Sequence, residues 1–237
     1  MVSKDFRYNQ KQVLLEHILR HIEALTPASL LDIGAGDGKL AIPLSKRVKN
    51  YVAIESSHNK SDQLRKAGLM VIERIFPIGV EGAYDMVISI HSLPEKMDGV
   101  ESFLKAAWQL VNPSGVLLII TFKGSGGELT TLRNEINRGR KSDDDSIVEK
   151  MMATLEKVGV VKQEQIISTM QSPHIEDMIE VLSFSLGIQI GEKEKIEKLI
   201  HILNTRYKHK KMYSFPTPHL CIWVRKESKK YRYRIIE

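Results

Sequence analysis

Apolar positions along the first half of the chain repeat with two different periods. From Gln10 to Ala24 they recur every three or four residues, which places apolar side chains on one face of a helix. Short apolar runs then alternate with amphipathic segments, the order expected of a mostly parallel sheet with helices on both faces. The expected helices are residues 10–24, 39–48, 59–67 and 100–111, and the apolar segments expected to contain strands are residues 30–33, 51–55, 83–93 and 116–122.

The pattern becomes less regular beyond Phe122. Three acids, Asp143, Asp144 and Asp145, precede one of the expected helices, and we interpret them as its N-terminal cap and first turn rather than as a metal site. No metal is expected elsewhere, and the single cysteine, Cys221, excludes an intramolecular disulfide. The elements expected here are helices at 128–137 and 147–158, a strand at 161–170, helical segments at about 174–186 and 192–207, and a last strand at 220–225.

The first apolar run leads into a glycine-rich turn. Residues 30–38 read LLDIGAGDG, so three glycines alternate with other residues and are flanked by Asp32 and Asp37. Glycine allows positive φ and a close approach of the backbone to a ligand, whereas two carboxylates repel a pyrophosphate. A dinucleotide-binding turn has the spacing G-x-G-x-x-G instead. The pattern therefore favours a nucleotide-like cofactor that carries positive charge.

This turn resembles motif I of the class I S-adenosylmethionine-dependent methyltransferases, and the resemblance continues to about Phe122. It implies a Rossmann-like α/β fold with a mostly parallel seven-stranded sheet, helices on both faces and a helical insertion before the last strand. That last strand would lie antiparallel between the fifth and sixth. The resemblance also implies that S-adenosyl-L-methionine is the cofactor and that its methyl group moves by in-line displacement.

Several further residues are expected at the cofactor. Glu55 follows Gly36 by nineteen residues and ends a strand, where a carboxylate can accept both hydroxyls of a ribose. Glu73 is a candidate for the adenine amino group, with a surface pair to Arg74 as the alternative. The full cofactor set that the resemblance implies is Asp32, Gly34, Ala35, Gly36, Gly38, Glu55, Ser56, Glu73, Ile90, His91 and Ser92.

The acceptor side is predicted from fewer signals. His91 lies at the end of the apolar segment 83–93, which the resemblance makes the family's fourth strand, at the edge of the expected pocket; it is either a general base or a residue that packs on the adenine. His174 and His219 are candidates of lower rank. We expect the N-terminal segment, through Phe6, Arg7 and Tyr8, and the helical insertion at 174–207 to shape the acceptor pocket.

Domain organisation and location follow from length and composition. The 237 residues are expected to form a single domain, with an N-terminal segment and helix at 1–28, a cofactor half at 29–122 and an acceptor half at 123–237. No apolar run reaches the ~20 residues that a membrane helix needs, and the first residues lack the apolar core of a secretory signal. A cytoplasmic location is therefore expected.

Positive charge is concentrated near the C-terminus. The formal net charge is +6, and residues 206–236 contain ten Lys or Arg against one acid, with tyrosines interleaved. Such a segment can bind nucleic acid, although a solvated surface has the same composition. We therefore expect a methyltransferase with a small-molecule acceptor, and we keep two alternatives open: an RNA or protein methyltransferase, and a cofactor-binding protein without catalysis. The sequence predicts no oligomeric state.

Overall fold

The computed structural model describes residues 2–94, 97–122, 127–137, 144–189 and 191–225, without the side chains of residues 97, 98 and 144–147. The strands are β1 (Arg7–Tyr8), β2 (Ser29–Ile33), β3 (Asn50–Glu55), β4 (Met70–Glu73), β5 (Tyr84–Ile90), β6 (Val111–Thr121), β7 (Val160–Ser172), β8 (Lys208–His209) and β9 (Met212–Arg225). The helices are α1 (Gln10–Leu25), α2 (Ala41–Ser45), α3 (His58–Lys66), α4 (Met97–Gln109), α5 (Gly127–Ile136), α6 (Asp144–Glu156), α7 (Ile175–Leu186) and α8 (Lys193–Ile202), and a π-helical turn (Leu203–Tyr207) continues α8.

Within the described residues these strands form one nine-stranded sheet. Its order is β1-β7-β9-β6-β5-β2-β3-β4, and β8 pairs with β9. The five strands from β6 to β4 pair in parallel, whereas β9 lies antiparallel between β6 and β7. The class I methyltransferase fold is therefore confirmed, with the last strand in the expected place and with β1 and β8 as short additional strands.

Two apolar cores cover the two faces of the sheet. The face under α1 buries Leu14 and Ile18 against strand residues such as Leu118. The opposite face packs α4 onto the sheet through side chains such as Phe103 and Leu104. Strands covered on both sides need apolar residues at every position, and this explains the unbroken apolar runs in the sequence.

A third core lies beside the sheet. Helices α5, α7 and α8 pack together over the N-terminal part of β9, where Phe215 is fully buried. The expected helical insertion corresponds to α7, α8 and the π-helical turn. Of the three acids interpreted as a helix cap, Asp143 lies outside the described residues, and α6 begins at Asp144. Among the described residues, none of the helices combines the length and apolarity that crossing a bilayer requires.

Several expected elements have different bounds in the structure. The last strand begins at Met212 rather than at residue 220. The prediction was too short because Pro216 and Pro218 lie within the strand, and proline, which lacks an N–H, usually indicates a loop. The helix expected at 39–48 is limited to Ala41–Ser45. Strand β6 also begins at Val111 rather than at residue 116, and its pairing with β5 shifts between Tyr84 and Met86.

Candidate cofactor site

The carboxyl ends of β2, β3 and β5 open onto a cavity of about 560 Å³. Ligands of open α/β sheets bind at this edge, and the volume lies within the usual range of small-molecule sites. The first turns of α1 form one wall with Gln10, Lys11 and Leu14. The residues of the expected cofactor set that line the cavity are Asp32, Gly34, Ala35, Gly36, Glu55, Ser56, Ile90, His91 and Ser92.

The glycine turn depends on positive φ angles that other residues rarely adopt. Gly34, Gly36 and Gly38 have φ values of +79°, +64° and +81°. A Cβ on Gly34 would lie 2.4 Å from Ser92 Cβ, so no side chain fits there. Gly38 does not line the cavity. It packs against Ile42 on the other side of the turn, where an added Cβ would lie 3.0 Å from Ile42 Cδ1.

Glu55 joins the end of β3 to the glycine turn. One carboxylate oxygen accepts the backbone N–H of Gly36 at 2.9 Å, and the other accepts that of Ser57 at 2.8 Å. The side chain is buried, so these two bonds fix its orientation at the cavity. Because a carboxylate offers about four acceptor sites, two remain for the hydroxyls of a ligand. The geometry fits a ribose.

Asp32 is a buried acid at the end of β2. Only 2% of its surface is exposed, and Oδ2 accepts the hydroxyl of Tyr51 at 2.5 Å. Burial raises the pKa of Asp32 to about 6, although the hydrogen bond from Tyr51 opposes the shift. A cationic group in the cavity would favour the ionised form of this carboxylate. The part of the cavity beside Asp32 therefore suits a positively charged group.

His91 follows β5 with a φ of +53°, and its ring stacks on Phe122 at 3.9 Å between centroids. Burial lowers the pKa of His91 to about 3 and that of His219 to about 4, so both rings are neutral at physiological pH. A general base works best with a pKa near the working pH. This arrangement therefore favours packing and hydrogen bonding by His91 over proton removal.

A chain of hydrogen bonds continues inward from His91. Ser168 Oγ donates to the carbonyl of Thr217 at 3.2 Å, so it accepts the Nε2–H of His219 at 2.6 Å. His219 Nδ1 then accepts from His91 Nε2 at 3.2 Å. His91 Nδ1 is consequently an unprotonated acceptor, and it is buried without a hydrogen-bond partner among the described residues. His219 is thus brought next to His91, although the sequence analysis ranked it low.

The N-terminal residues expected at the acceptor pocket do not line this cavity. Because β1 pairs with the edge strand β7, Arg7 lies opposite Gln171 and is exposed. Phe6 and Tyr8 pack against the third core.

Glu73 and His174 are also placed away from the cavity. The Glu73 carboxylate accepts hydrogen bonds from His58 and Arg65, both at 2.8 Å, because α3 packs beside β4. Arg74 lines the cavity in its place, together with Ile75 and Phe76. His174 pairs instead with Asp5 at 3.5 Å.

Sequence reasoning missed the wall that α1 contributes. Lys11 reaches the glycine turn, where its Nζ lies 3.9 Å from an Asp37 oxygen. Gln10 and Leu14 line the same wall. The apolar stripe predicted α1 correctly, but no local pattern indicates that its first turns reach across to the glycine turn.

Comparisons with known proteins agree with this geometry. Residues 6–182, well over half of the chain, match a family model described as a methyltransferase domain. The chain belongs to this methyltransferase family. A search of curated proteins finds none that matches this methyltransferase.

Solved structures share the fold of this methyltransferase at low sequence identity. A putative methyltransferase from Bacillus halodurans C-125 is 14% identical, with 90% of this chain and 99% of that chain covered and a TM-score of 0.62. The YcgJ protein of Bacillus subtilis is 13% identical, with coverages of 90% and 98% and a TM-score of 0.61. The N-methyltransferase NodS of Bradyrhizobium japonicum WM9, in complex with S-adenosylhomocysteine, is 10% identical, with coverages of 92% and 87% and a TM-score of 0.56.

Proposed function

We propose that this methyltransferase uses S-adenosyl-L-methionine to methylate a small-molecule acceptor by in-line displacement. The proposal rests on the hydrogen bond from the Gly36 N–H, in the acid-flanked glycine turn, to the Glu55 carboxylate at the cavity. When bound, the cofactor supplies a methyl group on a positively charged sulfur. NodS is a neighbour of the same fold whose structure holds the demethylated product.

The cavity residues have separate tasks in this proposal. Glu55 accepts the ribose hydroxyls, and Asp32 with the backbone from Gly34 to Gly36 faces the positively charged amino-acid end. Arg74 belongs to the outer wall where the sequence favoured Glu73. The cofactor is thus held within residues 29–122 together with the wall from α1, and the acceptor side is proposed to lie with the later part of the chain.

His91 is a positioning residue in this proposal rather than a general base. Its ring is neutral, held by Phe122 on one face and by His219 at Nε2. Its Nδ1 is buried without a hydrogen-bond partner among the described residues, so the proposed role of the ring is to pack beside the cavity rather than to take a proton. An acceptor that reacts as a neutral amine needs no proton removed before the methyl transfer.

A small acceptor agrees with the placement of the basic residues. Lys208, Lys210 and Lys211 line a shallow groove with Pro173 and Tyr213. This groove and the cofactor cavity have no lining residue in common among those that the structure describes. Residues 226–237, which carry the rest of the expected basic end, lie outside the described part of the chain.

That basic groove supports a second candidate, an RNA or protein methyltransferase. Lysines beside a tyrosine can contact a phosphate backbone and a base. In this case the acceptor would be held at the groove by Lys208 to Lys211 and would extend to the cavity.

Methyl-labelled cofactor distinguishes the candidates. The protein is incubated with defined pools of amines and hydroxylated metabolites, with RNA and with peptides, and the label in small and large products is measured separately. We expect label in small products only. Label in RNA or peptide that is lost in a Lys208→Ala, Lys210→Ala, Lys211→Ala variant supports the second candidate. Binding of S-adenosylhomocysteine without transfer to any pool supports a non-catalytic binder.

A further inference from the structure

A second polar cluster lies where α1 crosses the sheet, away from the residues that line the cofactor cavity. His17 and His21 are one helical turn apart on α1, and Glu164 faces them from β7. One ligand atom from each of the three side chains lies within 4.8 Å of the others. His17 Nε2 and Glu164 Oε2 are 3.5 Å apart.

These distances suit a metal ion. Two histidines four residues apart on one helix share a face and can bind the same ion, as in the H-E-x-x-H helices of zinc enzymes. Zinc binds nitrogen and carboxylate oxygen at about 2.0–2.2 Å in tetrahedral geometry, which places neighbouring ligand atoms roughly 3.3 Å apart. The cluster needs only small side-chain movements to reach this arrangement.

His17 has an unexplained buried nitrogen. The residue is 7% exposed, and Nε2 has no hydrogen-bond partner among the described residues. Buried polar atoms are almost always paired, so an orphan of this kind indicates an unrecorded partner. A bound ion would supply that partner, and Nε2 is the atom that faces Glu164.

The other two ligands are oriented by neighbours. His21 Nδ1 donates to the carbonyl of His17 at 2.9 Å, which leaves Nε2 as the nitrogen available to a metal, and its ring stacks on Trp223 at 4.2 Å. Lys162 holds one oxygen of Glu164 at 2.8 Å, and the other oxygen points to His17. Such outer contacts are typical of metal ligands.

The charge states agree with this geometry. Burial lowers the pKa of His17 to about 4, so the ring is neutral and keeps a free lone pair. Burial opposes ionisation of Glu164, but the hydrogen bond and charge of Lys162 hold its pKa below the usual value.

A second group of similar composition provides a contrast. His58, Asp62 and Glu73 also lie close together, but the guanidinium of Arg65 donates to Asp62 at 3.0 Å and to Glu73 at 2.8 Å. His58 has an acid at each ring nitrogen, Glu73 at 2.8 Å and Asp62 at 3.4 Å. In this exposed group one guanidinium binds both acids, whereas Lys162 binds one oxygen of Glu164 and leaves the other facing His17.

We propose that His17, His21 and Glu164 form a binding site for a divalent transition-metal ion, with Zn²⁺ as the ion that suits two imidazoles and a carboxylate. The ion ties α1 to β7. Because the first turns of α1 form a wall of the cofactor cavity, the ion also fixes that wall. The site does not depend on the proposed acceptor, and its test needs no catalysis.

The test is a titration of the chelator-treated, full-length protein with Co²⁺ and then Zn²⁺. We expect one equivalent of Co²⁺ to bind with the absorption of tetrahedral coordination, Zn²⁺ to displace it, and Zn²⁺ to raise the melting temperature. His21→Ala and Glu164→Gln should each weaken binding by roughly a hundredfold. Both residues are partly exposed, so these variants avoid the folding risk of replacing buried His17. His58→Ala is the matched control and should bind as the wild type does.

Three results would overturn the site. The first is the absence of saturable binding by the wild type. The second is binding that survives both His21→Ala and Glu164→Gln. The third is loss of binding in His58→Ala, which would place the ion at the exposed group.

Discussion

The proposed cofactor half and the proposed acceptor half of this methyltransferase are held together differently. In the cofactor half the decisive contacts join residues close in sequence: Gly36 and Glu55 are nineteen residues apart, and Gly34 donates to the carbonyl at the end of β3. In the acceptor half the contacts span the chain, as in the hydrogen bonds between Ser3 and Asp177. The glycine turn therefore depends on segments that are close together in the sequence. The proposed acceptor half depends on contacts between segments that are far apart.

The largest expected effect is at Gly34. Gly34→Ala would add strain at a φ of +79° and force a Cβ to within 2.4 Å of Ser92 Cβ. We expect it to abolish measurable binding of S-adenosylhomocysteine and to lower the free energy of unfolding by roughly 2–5 kcal/mol. Calorimetric titration and denaturant unfolding measure the two effects.

Gly68→Ala is the matched control for that variant. Its φ is +87°, but no atom lies within 4 Å of the added Cβ. The substitution should lower the free energy of unfolding only by the backbone strain of about 1–2 kcal/mol, and it should leave cofactor binding unchanged. Equal losses of binding in both variants would mean that the close contact at Ser92 is unimportant.

The next prediction tests whether the stability of one half can change without affecting cofactor binding by the other. Phe215 is fully buried in the third core, so Phe215→Ala should lower the free energy of unfolding by about 3–5 kcal/mol. At low temperature the affinity for S-adenosylhomocysteine should stay at the wild-type value. A parallel loss of cofactor affinity would show that the halves are coupled.

The same contrast explains what could be predicted from sequence. The glycine turn and Glu55 are visible because a local pattern specifies them. The helices of the first half follow from amphipathic spacing, and β2, β3, β5 and β6 follow from apolar runs, because these strands are covered on both faces. Strand β4 was not expected, since its residues are not buried and form no such run. The antiparallel place of the last strand came from the family resemblance rather than from the apolar pattern itself.

Residues outside those patterns were missed because distant pairing decides them. Tyr8 joins the third core through the pairing of β1 with β7, and no nearby sequence indicates that partner. Because Pro216 and Pro218 are unusual in a strand, the N-terminal half of β9 was not predicted. His17 and His21 have the spacing of a metal pair, but Glu164, the third residue of the proposed site, is distant in sequence and comes near them only because β7 packs against α1.

A smaller effect is expected from pH. The pKa of Asp32 is about 6 because the residue is buried, so the carboxylate becomes neutral as the pH falls below 6. A cationic ligand loses an attractive partner there, and the affinity for S-adenosyl-L-methionine should decrease severalfold between pH 7 and pH 5. Titrations across this range in the wild type and Asp32→Asn test the cause. A pH dependence that persists in the variant would assign it to another group.

The most direct test of the central claim is a calorimetric titration of S-adenosylhomocysteine into the wild type, Glu55→Gln and Glu73→Gln. Glu55→Gln removes a charged acceptor and one bond to the glycine turn, so its affinity should fall about tenfold or more. Glu73→Gln, whose side chain faces His58 and Arg65, should bind as the wild type does. No binding by the wild type, or equal losses in both variants, would contradict the account.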